Sequence, residues 1–185
     1  MRTLFAVFFY WLYQISFALW VGGAIVLGAI SAPALFSTAK GMGHTHWGMP
    51  LYKFAGVAAG VAFKHFNYLV LVAGAVLIVS GLAYGSLAGL CRVRMRVRAV
   101  LTAVAWGVSA WLTFSMFPQM EAARNAGQME VVDALHKTYS GAYWVQIILL
   151  LTAAALTGWM HLDLATEHHA AVPLHPETPQ PAHAS

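Results

Sequence analysis

Nine histidines stand out in a chain of 185 residues that has only ten Lys and Arg and six Asp and Glu. Imidazole is the commonest transition-metal ligand, and two histidines can hold a haem iron from its two axial sides. Four of the nine, His168, His169, His175 and His183, fall in a proline-rich tail, where a solvated spacer that scavenges metal weakly is the plain reading. His161 closes the last apolar run and reads as an interfacial polar residue. His44 and His46 occur in Gly43-His44-Thr45-His46-Trp47, His65 opens one apolar run, and His136 precedes another. If these runs cross a membrane in alternation, the four share one side. His65 and His136 would then meet over the mouth of the bundle and could hold haem. With His44, His46, Glu121 or Asp133 they could instead complete a copper or zinc sphere. Against this, no pair has the i, i+4 spacing that puts two ligands on one helix face, and His-x-His in a loop is common by chance. Hydrogen bonding of each ring to backbone or headgroup is the competing reading.

Other chemistry is scarce. Ser16, Ser80, Ser109, Ser115 and Ser140 lack the strand–turn–helix setting of an activated nucleophile. No paired carboxylates lie within the apolar runs for acid–base work, there is no P-loop or GxGxxG, and the single Cys91 excludes an internal disulfide. A proton-coupled pump would want a buried acid, which the runs do not supply. A non-enzymatic component is the expectation.

The elements that would position these residues follow from composition. Hydrophobic residues make up 60% of the chain, charged ones 9%, and mean hydropathy is +0.68. Soluble domains carry about 25% charged residues, so a water-facing surface of ordinary size is ruled out. The net charge of +4 is too small and too local to indicate a nucleic-acid partner. A span needs about 20 apolar residues. Four runs qualify: Leu4 to Ala32, Phe66 to Leu90, Ala99 to Phe117, and Gly141 to Leu162. The first is too long for a signal-peptide core, and Pro33 is expected to end it. Leu51–Phe63, flanked by lysines, is too short to span and is expected as a separate interfacial helix. The fold class is therefore all-α: a domain over 1–162 of four transmembrane helices plus a short interfacial helix, then a disordered cytoplasmic tail over 163–185.

Arg92, Arg94, Arg96 and Arg98 crowd one short connection, while five basic residues on the other side are spread over longer loops. By the bias of positive charge toward the cytoplasm, both termini and the arginine loop are placed inside, in a bacterial plasma membrane. Glu121, Glu130 and Asp133 fall in an outer loop. Gly81, Gly85 and Gly89, spaced by four, make a close-packing stripe, either inside one bundle or as the seam of a homo-oligomer or larger membrane complex. Trp11, Trp47, Trp144 and Trp159 read as interfacial anchors in the lipid bilayer.

Three segments carry a family likeness: Leu19-Trp20-Val21-Gly22-Gly23 through Ala32-Pro33-Ala34-Leu35-Phe36, Ala55-Gly56 through Phe63-Lys64-His65-Phe66, and Phe117-Pro118-Gln119-Met120 followed by Leu135-His136 and Ser140. In order and spacing they resemble the transmembrane-protein-205-like family, an integral membrane domain of unknown function, over about residues 10–160. The resemblance implies four spans with no established activity, and it lands on Pro33, Phe36, Gly56, Phe63, Phe66, Pro118, His136 and Ser140. His44 and His46 lie outside its pattern. Three functions remain open. One is an accessory component binding a partner or small solute around His65, Pro118, His136 and Ser140. The others are a copper- or haem-binding protein using the outer histidines, and a small-solute transporter.

Overall fold

The computed structural model of the chain describes residues 1–42 and 51–170, and all regular structure among them is helical. With no water in the hydrocarbon to satisfy the backbone, apolar runs of this length must close their hydrogen bonds internally, as helices do. In chain order these are α1 (Arg2–Ile25), a π-helical turn (Val26–Ser31), α2 (Ala32–Met42), α3 (Leu51–Ala88), α4 (Arg92–Trp111), a second π-helical turn (Leu112–Met116), α5 (Phe117–Asn125) and α6 (Met129–Ala170). Four stretches are long and apolar enough to cross a membrane: Arg2–Lys40, Ala55–Ala88, Arg92–Asn125 and Met129–Leu162. At 1.5 Å per residue each is about 50 Å or longer, well beyond a hydrocarbon core of about 30 Å, so the helices protrude or tilt.

Pro33 does not end the first span. The helix continues to Met42, and the π turn just before the proline explains how. Proline brings no N–H and its ring presses on the carbonyl four residues earlier, here Ala29; widening the backbone over Val26–Ser31 moves that carbonyl aside. The same device precedes Pro118, where Phe114 lies in the second π turn. Nor is Leu51–Phe63 a separate helix, because α3 runs unbroken from Leu51 to Ala88. Glu121, Glu130 and Asp133 sit on α5 and α6 rather than in a loop, and the connection shrinks to residues 126–128. The last helix passes Leu162 and reaches Ala170.

Gly89 belongs to a turn, not to a packing stripe. Its φ of +70° favours glycine, a Cβ there would meet nothing within 4 Å, and the Leu90 N–H donates to Gly85 O at 3.1 Å, closing α3 as a Schellman cap. Gly127, with φ +73°, ends α5 in the same way through Gln128 N–H to Ala123 O at 2.9 Å. Arg2 Nε donates to Leu87 O at 3.2 Å, so the N-terminus and the arginine-rich turn share one end of the bundle. Opposite it lie the ends of α2 and α5 and the starts of α3 and α6. These are the arginine end and the glutamate end below.

The core runs between them, with Tyr13, Trp20, Phe66, Val70, Leu77, Ala105, Ile147 and Leu150 in one buried cluster. Lipid offers helices no hydrophobic reason to associate, so contact depends on fit. A Cβ on Gly23 would strike Phe66, and one on Gly74 would strike Trp106 and Trp20. The Trp106 indole N–H donates to Leu71 O at 2.8 Å. Large apolar side chains such as Phe8, Ile15, Val72, Val100, Phe114 and Ile148 point outward, as a lipid-facing belt requires. Span three reverses the soluble pattern, with buried positions that include Arg98, Thr102, Ser109 and Thr113.

Candidate functional site

At the glutamate end, α3 and α6 are joined by a buried pair: Asn67 Nδ2 donates to the Tyr139 hydroxyl at 3.1 Å, and that hydroxyl donates to Asn67 Oδ1 at 3.2 Å. This bond places His65 and His136 at the same end of the bundle. It does not make them a pair. Both are exposed, no hydrogen bond or ring contact joins them, and His65 Nδ1 lies 2.9 Å from Val61 O on its own helix. His44 and His46 lie outside the described residues. Among the described residues, no group of three or more His, Cys, Asp and Glu could hold a metal ion, so the copper or haem expectation draws no support from them. Ser140 is half-buried on α6, and a Cβ on Gly56 would lie 3.8 Å from the Phe36 ring, an ordinary packing distance.

What this end does hold is a cavity of about 110 Å³ between α3 and the π turn of the third span. Lys64, Asn67, Tyr68, Thr113, Phe117, Pro118 and Glu121 line it. Lys64 Nζ and Glu121 Oε2 stand 3.7 Å apart at its rim, with side chains 43% and 51% exposed. Thr113 Oγ1 donates to Ser109 O at 2.7 Å, leaving its lone pairs as acceptors. The opposite charges, the carboxamide and the hydroxyl can hydrogen-bond a small polar molecule. Of the residues expected here Pro118 and Glu121 take part, and the role of Pro118 is to force the π turn that carries Thr113.

The arginine end brings side chains together from all four spans, and the sequence reading missed it. Arg98 on α4 is 2% exposed. Its Nη2 donates to Gly81 O, and its Cζ stands 5.2 Å from the centre of the Tyr13 ring, a cation–π contact. The Tyr13 hydroxyl lies 3.2 Å from Thr157 Oγ1 on α6. Tyr84 and His161 stack with centroids 5.7 Å apart and planes at 29°, and Tyr10 packs edge-on to His161 at 5.8 Å. Gly81 and Gly85 make room. A Cβ on Gly81 would come within 3.2 Å of both Arg98 Nη2 and Tyr13, and one on Gly85 would strike Met95. The stripe therefore packs within one chain, around an arginine.

A signal for this cluster existed. Arg98, Thr102, Ser109 and Thr113 recur at 4, 7 and 4 residues, which is one helix face. Taken singly, a charge at the start of a span and isolated hydroxyls within it give no sign of that line.

The family described as a domain of unknown function, DUF4149, matches residues 15–129, more than half of the chain. The chain belongs to that family. No curated protein and no solved structure matches it. The DUF4149 region contains every residue lining the polar cavity and also Gly81, Tyr84 and Arg98, but stops where α6 begins. In this DUF4149 chain the Tyr139 and His161 partners therefore come from beyond the matched region, as do Tyr10 and Tyr13.

Proposed function

We propose that the chain is a non-enzymatic membrane component that binds a small polar solute in the cavity at the glutamate end, with Lys64 and Glu121 at the rim and Asn67 and Thr113 inside. The observation that carries this reading is the cavity itself, which sets Lys64, Asn67, Thr113 and Glu121 beside Phe117 and Pro118 and is roomy enough for a few heavy atoms. In a bacterial plasma membrane with both termini cytoplasmic, the cavity would open outward. Thermal unfolding of the detergent-solubilised full chain against glycerol, glycine and ammonium tests it. At least one should raise the midpoint, and Thr113→Val, which keeps shape but removes the hydroxyl, should abolish that rise. No rise with any of them removes the reading.

A transport reading is favoured by one observation: the buried polar face Thr113, Ser109, Thr102 and Arg98 leads from the cavity toward the arginine end. Liposomes carrying the protein should then pass the bound solute faster than empty vesicles, and equal leakage rejects it.

A further inference from the structure

The two arms of Arg98 are unequal. Nη2 donates to Gly81 O, whereas Nη1 is buried and has no hydrogen-bond partner among the described residues. A guanidinium is charged at any physiological pH and presents a rigid fork of donors suited to oxyanions. Buried charges are ordinarily paired, and an ionisable group inside a membrane bundle pairs with another such group or with backbone carbonyls; here Gly81 O meets Nη2 alone. Yet no described carboxylate is paired with Arg98.

The surroundings suit an anion supplied from outside. Tyr84 lies on α3 between Gly81 and Gly85, which flank the guanidinium, and its hydroxyl is 3.4 Å from the His161 ring; on parting, the two offer two further donors. Gly81 and Gly85 leave the guanidinium its space, with Cβ positions 3.2 Å and 3.7 Å from Nη2. Arg92 and Arg96 are exposed at the mouth and add attraction of the same sign. Arg98 lies one and two-thirds turns along α4 from Arg92, about 9 Å, a depth close to the headgroup layer.

We infer that Arg98 is the fixed cationic half of a binding site for a phosphate group, carried on a lipid headgroup or free in solution. The phosphate takes the idle Nη1, and the Tyr84 hydroxyl and the His161 ring complete its shell. Phosphate is favoured over carboxylate because the guanidinium lies near the headgroup layer, where lipid phosphates sit, and its fork matches two phosphate oxygens. Entry needs the Tyr84–His161 stack to part, since Nη1 is closed off as it stands. This site is independent of the solute cavity, sharing none of its residues.

The test uses the full chain in detergent at fixed ionic strength. Native mass spectrometry would compare retention of phosphatidylglycerol with that of a phosphate-free glycosyl diacylglycerol, and calorimetry would titrate inorganic phosphate. Retention of the anionic lipid without phosphate binding assigns the headgroup; phosphate binding that displaces the lipid assigns the free ion. Either supports the site. Arg98→Lys, which keeps the charge but loses the fork, should weaken binding roughly tenfold or more, whereas Arg96→Gln at the exposed mouth should change it less than about twofold. Equal retention of both lipids with no phosphate binding overturns the proposal, as does an equal loss in the two arginine variants. Should Arg98→Lys fail to fold, Tyr84→Phe decides, because it removes a donor but keeps the ring on His161; unchanged binding then counts against the site.

Discussion

The two ends of this bundle handle charge in opposite ways. At the glutamate end a lysine and a carboxylate face each other across 3.7 Å, roughly half exposed, above a small polar cavity. At the arginine end a cation is sealed among tyrosines and glycines, one of its arms without a hydrogen-bond partner among the described residues. An exposed pair costs little to form and contributes little when made. A buried guanidinium is expensive unless its donors are met, so its neighbours must be arranged around it. The exposed rim of the glutamate end should therefore tolerate substitution, and the surroundings of Arg98 should not.

The most severe break is Gly81→Leu. Its side chain would have to occupy the space of the Arg98 guanidinium and the Tyr13 ring, and stability should fall by roughly 3 kcal/mol, measured as a lowered unfolding midpoint in detergent by circular dichroism. Gly56→Ala at the other end, where Phe36 is in ordinary contact, should lie near wild type in the same assay. A fall at Gly56 matching that at Gly81 would erase the distinction.

Tyr139→Phe comes next. It leaves the buried Asn67 carboxamide without its partner and should cost about 1–2 kcal/mol, and Asn67→Leu combined with it should recover part of that loss in a double-mutant cycle. Smaller still is Lys64→Gln, which breaks the rim ion pair. We expect a change below about 0.5 kcal/mol, and the exchanged pair Lys64→Glu with Glu121→Lys should unfold close to wild type. A large effect here would mean the pair supports the fold rather than the rim.

The last prediction carries no energy and sharpens only which end is which side. Cys91 is exposed beside the arginine turn. An impermeant thiol reagent should miss it in intact cells and reach it once the membrane is opened. Gln128→Cys in a Cys91→Ser background should label from outside, Gln128 being chosen over Gly127 because the latter needs positive φ. The reverse pattern would turn the molecule over.

Much of the architecture was legible from residue types. Runs free of charge longer than a bilayer is thick can do little but cross it, and their alternation places Arg2 beside the arginine turn, where Arg2 Nε meets Leu87 O. Boundaries were less legible, for a local reason: proline normally stops a helix, but a π turn before Pro33 and before Pro118 lets each helix continue. The proposed rim of histidines was the weakest expectation. A histidine shows its chemistry in one letter but not the direction it faces, and His65 and His136 both face outward, with His65 folded back on Val61.

Composition and the order of apolar runs and charges determined that the chain is helical, spans four times and gathers five of its six arginines at one end, because the exclusion of water from hydrocarbon leaves an apolar backbone no alternative. Only the tertiary structure decided that Gly81 and Gly85 exist for Arg98, that Tyr13 and Thr157 meet across 144 positions of sequence, and that Asn67 finds Tyr139. Those pairings depend on how each helix is rotated about its axis. In lipid that rotation is set by the mutual fit of side chains on different spans, which no single span carries in its own pattern.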